Sequence, residues 1–148
     1  MKAIILSIFA AISLIPSCSK STSQTEPKSS QKEVVNHEYS EVVKYTIIWE
    51  SIFEQEKDKY FVYFYSLTCS HCASLKNSII EYALKNKNLY FVQASEDVHI
   101  SEDVTDSVGA ISTSELAIKG YPTLIEIDQK VCVSLFSGTQ EIISKLNL

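Results

Sequence analysis

Cys69-Ser70-His71-Cys72 sets two thiols three residues apart with an imidazole between them. A thiol reacts as its thiolate. At the first turn of a helix, Cys69 would lie beside N–H groups that no carbonyl accepts and at the positive end of the helix dipole. That environment favours the thiolate and marks Cys69 as the nucleophile. Two intervening residues return Cys72 to the same turn, within reach of a mixed disulfide formed at Cys69, so Cys72 is the resolving thiol and is expected to be the more buried of the two. A partly positive His71 favours the Cys69 thiolate further, and Ser70 completes the dipeptide that tunes the pair. The same spacing is also half of a zinc site, but four N/S ligands are wanted and no second pair follows at suitable spacing. Haem attachment fails because Ala73 stands where a His is required. A purely structural local disulfide is a further reading of the two cysteines taken alone. No metal and no cofactor is expected.

Elements on either side must hold this tetrapeptide in place. Before it runs Tyr60-Phe61-Val62-Tyr63-Phe64-Tyr65, an unbroken aromatic and β-branched segment without charge, which predicts a central strand buried on both faces. After it, Leu75, Ile79, Tyr82 and Ala83 repeat at three and four, predicting a helix to about Asn86 with Thr68 as its N-cap. Upstream, a weak extended segment is expected at Val42 to Ile48 and a short amphipathic helix from about Trp49 to Lys57. Downstream, Leu89 to Ala94 reads as a strand, and Ser95 to Ser112 as a polar surface excursion carrying Glu96, Asp97, Glu102, Asp103 and Asp106. Ser114 to Ile118 suits a short helix, Pro122 to Ile127 a strand, and Asp128-Gln129-Lys130 a turn. Val131 to Phe136 then forms the hairpin partner and Thr139 to Leu148 a closing helix.

The chain of 148 residues has a hydrophobic fraction of 45%, which suits one globular domain and excludes a large multidomain enzyme. Its 13 basic residues, all Lys, face 18 acidic ones for a net charge of -5, so nucleic acid is not an expected partner. Met1-Lys2 followed by the uncharged stretch Ala3 to Pro16 reads as an export signal, too short to span a bilayer. It ends in Leu14-Ile15-Pro16-Ser17-Cys18, which resembles the lipobox of bacterial lipoproteins with Pro16 as a departure, and which implies cleavage after residue 17 and lipidation of Cys18. From Ser19 to Glu33 there is no hydrophobic residue, so residues 18–33 are expected to be a disordered tether. Extended, such a tether reaches about 50 Å. Residues 34–148 are the folded domain. Removing residues 1–17 takes away one Lys and no acid, so attraction to anionic lipid is not expected and the anchor must be covalent.

From about residue 42 to the C-terminus the sequence resembles the thioredoxin-like family. The resemblance rests on an aromatic strand leading into Cys69-Ser70-His71-Cys72 and on Ile118-Lys119-Gly120-Tyr121-Pro122-Thr123-Leu124, followed by strand, turn, a strand ending in Gly138, and a terminal helix. It implies an α/β thioredoxin-like fold with a central mixed β-sheet flanked by helices, and a redox-active disulfide between Cys69 and Cys72. It also implies a cis bond before Pro122, with the backbone of Tyr121 binding substrate. Several positions depart from the family pattern. Tyr63 stands in place of a buried Asp, Gln93 in place of a Lys, and Thr68 in place of a Trp. The stretch from Phe91 to Pro122 is roughly ten residues longer than a minimal thioredoxin would have. The usual carboxylate for deprotonating the resolving thiol is absent from its place.

The expected function is that of an exported thiol–disulfide oxidoreductase, lipid-anchored at the extracytoplasmic face of a bacterial cell membrane, with secretion as the alternative. Its partners would be extracytoplasmic protein thiols and disulfides and a membrane electron donor or acceptor; reduction versus oxidation or isomerisation is open. The competing reading is a thioredoxin-like accessory or binding protein of an export system, with non-essential cysteines. Cys132, in Val131-Cys132-Val133, is expected to pack as a small hydrophobe, and His37, His99 and the loop carboxylates to be solvated.

Overall fold

In the computed structural model, residues 35–148 are described. The expected signal, the lipidated Cys18 and the tether lie outside them. Four strands, β1 (Lys59–Tyr65), β2 (Leu89–Gln93), β3 (Thr123–Asp128) and β4 (Val131–Ser137), form one mixed sheet in the order β2-β1-β3-β4. β1 and β2 are parallel, with Tyr63 opposite Phe91; β3 runs antiparallel to both β1 and β4. A parallel pair needs a crossover, and α1 (Ser70–Asn86) supplies it. The β3–β4 hairpin turns on Gln129 and Lys130, both at positive φ (48° and 65°), as a two-residue turn with the right twist requires. No glycine is present there; Gln129 N–H donates to Asp58 O at 2.7 Å and helps hold the turn.

β1 separates two apolar layers because successive side chains point to opposite faces. Phe61, Tyr63 and Tyr65 face α1 and α2 (Thr139–Leu146), where they meet Leu75, Ile79, Ala83, Ile142 and Leu146. Tyr60, Val62 and Phe64 face the other way, toward Trp49, Ile52, Val98, Leu116 and Ile118. The expectation of a strand buried on both faces therefore holds. Below the first layer Glu126 is buried, its carboxylate 2.9 Å from Lys59 Nζ and 2.7 Å from Lys145 Nζ. Among the described residues, no helix is long and apolar enough to cross a membrane.

Four local expectations are corrected. Val42 to Ile48 is not extended throughout: Tyr39–Tyr45 is 3-10 helical with a kink at Val42 (φ −112°, ψ 15°), and only Thr46 pairs with Phe91 at the sheet edge. Tyr39, Val42 and Tyr45 recur every three residues, the period that puts side chains on one face of a 3-10 helix, and all three pack on the first layer. The expected helix from Trp49 to Lys57 shrinks to a 3-10 turn at Trp49–Ser51. Beyond it side chains bond the carbonyls: Gln55 Nε2 donates to Ser51 O, which also accepts the Glu54 N–H at 3.1 Å, and the buried Tyr60 hydroxyl donates to Ile52 O at 2.8 Å. Ser114 to Ile118 forms a turn followed by a bridge from Ile118 to Ile100, since Leu116, Ala117 and Ile118 are buried in succession and no one-sided helix could bury all three. Finally, the stretch 95–112 is more than a surface excursion. Its five acids are exposed as expected, but Val98, Ser107 and Ala110 are buried in or against the second layer.

Backbone pairing fixes that stretch to the edge of the sheet. Gly109 N–H donates to Cys132 O at 2.7 Å, and Cys132 N–H donates to Ala110 O at 2.8 Å. The Ser107 hydroxyl donates to Ala117 O and accepts from Ala117 N–H, both at 2.9 Å. An exposed strand edge invites pairing with another chain, and here the excursion occupies part of the β4 edge.

Candidate active site

The loop Ser66–Thr68 leaves the end of β1 and delivers Cys69 to the start of α1. Cys69, not Thr68, is the N-cap: its backbone is extended (φ −88°, ψ 117°), and its sulfur accepts the Cys72 N–H at 3.2 Å. An N-cap side chain bonds the N–H three residues on, so the spacing of the two cysteines is itself the capping relation. The Thr68 hydroxyl lies 3.0 Å from Ser66 Oγ instead. Cys69 is partly exposed, Cys72 is buried, and both are thiols.

The second half of the site comes from the segment before β3. Tyr121-Pro122 is a cis peptide. Cys69 Sγ lies 3.4 Å from Tyr121 O, so the two segments, 52 residues apart in sequence, meet at the nucleophile. Gly120, at φ +143°, carries the chain into this corner, and the Thr123 hydroxyl donates to Gly120 O at 2.7 Å. On the other side, Gly138 N–H donates to Pro122 O at 2.9 Å, and Gly138 adopts φ +83° to turn from β4 into α2. An open cleft of about 560 Å³ lies along this corner, lined by His71, Ser74, Tyr121, Pro122, Gly138 and Glu141. Ser70 and His71 are exposed; the Glu141 carboxylate is held by the Ser137 N–H at 2.8 Å.

Burial, followed by the neighbouring Cys69 sulfur, pushes the Cys72 thiol up to about 12. Around it stand aromatic rings. Tyr63 is fully buried beneath Cys72, and Gln93 is exposed, its Oε1 accepting from the Tyr65 hydroxyl at 3.3 Å. Tyr39 stacks on Tyr65 with ring centroids 4.0 Å apart, and Tyr63 meets Phe91 edge-on at 5.9 Å. Such ring pairs contribute about 0.5–1.5 kcal/mol each beyond the area they bury. Tyr39 belongs to the site and was not singled out from sequence; the three-residue period of Tyr39, Val42 and Tyr45 is the signal that points to it.

The third cysteine among the described residues behaves as a core residue. Cys132 is fully buried in the second layer, and burial pushes its thiol up to about 11. His99 is exposed, while His37 is partly buried and pairs with Glu41 at 3.0 Å. No group of three or more His, Cys, Asp or Glu able to hold a metal exists among the described residues.

Among solved structures the chain is similar to thioredoxin f2 of Chlamydomonas reinhardtii, at 20% identity and a TM-score of 0.47 over 69% of this chain and 92% of that one. It is also similar to thioredoxin NaTrxh of Nicotiana alata (18% identity, TM-score 0.46, 70% and 89% of the two chains). A third is mitochondrial thioredoxin 3 of Saccharomyces cerevisiae in its oxidized form (14% identity, TM-score 0.44, 69% and 90%). No protein-family model and no curated protein matches the sequence. The sheet order, the crossover helix that begins at the two thiols and the cis-Pro corner facing them together make this a thioredoxin-like fold.

Proposed function

We propose that the protein is an exported, membrane-anchored thiol–disulfide oxidoreductase that exchanges disulfides with extracytoplasmic protein thiols through Cys69 and Cys72. The observation that carries this reading is the position of Cys69 Sγ: partly exposed, capping α1, and 3.4 Å from the Tyr121 carbonyl beside an open cleft. A substrate segment laid in that cleft meets the nucleophile and the Tyr121 backbone together. In the reducing direction, the Cys69 thiolate attacks one sulfur of a substrate disulfide. The substrate S–S bond breaks, and its other sulfur leaves as a thiolate that takes up a proton. The Cys72 thiolate then attacks Cys69 Sγ, the second substrate sulfur leaves in the same way, and a Cys69–Cys72 disulfide remains. Two protons from the protein thiols are balanced by two on the products, and two electrons pass to the substrate. Oxidation is the same sequence reversed. Export and anchoring rest on the signal-like residues 1–17 and Cys18.

The test is a Cys72→Ala variant expressed in the native cell, which should accumulate partners disulfide-linked to Cys69 and so name the substrates. A measured reduction potential assigns direction: a value near that of thioredoxin excludes the oxidase version. A second reading, an accessory or binding module whose cysteines are dispensable, is favoured by Ile100, Val108 and Ile111, which the excursion exposes. It gains the field if no mixed disulfide accumulates and a Cys69→Ala variant still complements a deletion.

A further inference from the structure

Two tyrosine hydroxyls are buried near the Cys72 thiol without a hydrogen-bond partner. Tyr63 Oη and Tyr39 Oη are both inaccessible to solvent and unbonded in the dithiol state. Buried polar groups in folded proteins are almost always bonded, so an unpaired one next to a reactive sulfur calls for a reason. The groups facing Tyr63 Oη are the Tyr39 hydroxyl and the thiols of Cys72 and Cys69; the Tyr39 hydroxyl and the Cys72 thiol are near enough to interact with it but outside hydrogen-bond geometry. The ring cannot swing away. It is fully buried in β1, parallel to Tyr65 at 6.2 Å and edge-on to Phe91 at 5.9 Å. Only rotation about the phenolic C–O bond is left, and that rotation aims the hydrogen at sulfur or away from it. Contacts of this kind are often loose before the reaction and tighten when charge develops.

We propose that Tyr63 is the hydrogen-bond donor to the Cys72 thiolate during disulfide exchange, occupying the place where a carboxylate base would otherwise stand. The inference rests on the proposed redox function and assigns one part of its chemistry. Tyr63 donates rather than accepts, because burial and the nearby Tyr39 and thiols hold its phenol far above the ordinary range and it keeps its proton throughout. The groups facing Cys72 are Cys69 and the Ser66 backbone from the loop, Tyr63 from β1, Tyr39 from the first 3-10 helix and Tyr121 from the segment before β3. None of these is a carboxylate, lysine or histidine. In the resolving step Cys72 gives its proton to water, and its sulfur attacks Cys69 Sγ while Tyr63 donates to it. The Cys69–substrate bond then breaks, and the departing thiolate recovers a proton from water. In the opposite direction Cys72 is the leaving sulfur when an external thiolate opens the Cys69–Cys72 disulfide, and the same donor receives its charge. The Tyr63 proton is never transferred, so one residue serves both directions.

The experiment loads Cys69 of the full protein with a small aromatic thiol and follows its release by Cys72 across pH. In Tyr63→Phe, the ratio of second-step to first-step rate is expected to fall about 4–20-fold, the scale of a hydrogen bond to a charged group less the nucleophilicity that a more basic thiolate regains. The Cys72 titration, read by alkylation in a Cys69→Ser background, should move to higher pH. An unchanged ratio and titration in Tyr63→Phe overturn the inference while leaving the redox function standing. Failure of the wild-type protein to release the aromatic thiol overturns the redox function, and the inference with it. If Tyr63→Phe does not fold, the ring ζ-carbon resonance of Tyr63 in the Cys69→Ser protein is followed instead. It should move as Cys72 ionises, and a resonance that stays fixed through that titration overturns the inference.

Discussion

The resolving thiol sets the pH dependence of the reaction cycle. Cys72 is 1% exposed, and burial, followed by the Cys69 sulfur, raises its thiol from 9.0 to about 12. A rise of about three pH units lowers the thiolate fraction at neutral pH roughly a thousandfold. A more basic thiolate attacks faster, and with a Brønsted coefficient of about 0.4–0.5 the same rise returns a factor of about 15–30. Resolution at neutral pH is therefore up to roughly 30–60 times slower than that of an ordinary thiol held in the same place, and it climbs about tenfold per pH unit. In the mixed disulfide Cys69 carries no charge, so its share of the effect lapses; burial, the larger cause, persists. The assay is a single turnover: Cys69 is loaded with an aromatic thiol and its release is followed by stopped flow between about pH 6 and pH 10. The expected logarithmic profile rises with unit slope and has no plateau in that range. A plateau that sets in below about pH 10 would refute the reasoning, because it requires a Cys72 that ionises like a thiol in water, at about 8.5.

Three further predictions concern the scaffold. Burial raises the Glu126 carboxyl, but Lys145 and Lys59 outweigh it and hold the folded value below the unfolded one. The associated stability is present above about pH 4.3 and is lost as pH falls through the folded value. Denaturant unfolding of Glu126→Gln should show a loss of about 1–3 kcal/mol at neutral pH and a weaker acid dependence than wild type; equal acid slopes contradict this assignment. Ser107→Ala leaves the buried Ala117 N–H and C=O without their shared partner. It should cost about 1–3 kcal/mol and speed proteolytic cleavage within residues 95–118. Cys132, buried and pushed up to about 11, should resist alkylation in the native protein while Cys69 reacts, and Cys132→Ala should retain disulfide exchange. Labelling of Cys132 before unfolding, seen by peptide mass mapping, would count against its core role.

Elements whose pattern is local were legible before the structure. The uncharged run from Tyr60 to Tyr65 could only be a strand covered on both sides, and the three-and-four repeat after Cys72 matches α1 to its last residue. The segments that misled were those in which side chains compete for backbone groups or neighbours supply the burial. Trp49 and Ile52 have helical spacing and are buried, yet the Tyr60 and Gln55 side chains bond the carbonyls beyond the first turn. The acids of the excursion announce solvent, but Ser107 and Ala110 lie inside because Ala117 and Cys132 offer them backbone partners.

The same division runs through the site. The spacing of Cys69 and Cys72 by itself put the two thiols on one turn of a helix, but it pointed to Thr68 as the cap, whereas it is the Cys69 sulfur that accepts the Cys72 N–H. Only the tertiary structure decided that the Tyr121 carbonyl arrives 3.4 Å from Cys69, that Cys72 is buried, and that the Tyr63 and Tyr39 hydroxyls are buried with it. The physical reason is one of range. Bond geometry within a single turn is set by the chain itself, whereas desolvation and the choice of neighbours depend on which distant segments the sheet brings together.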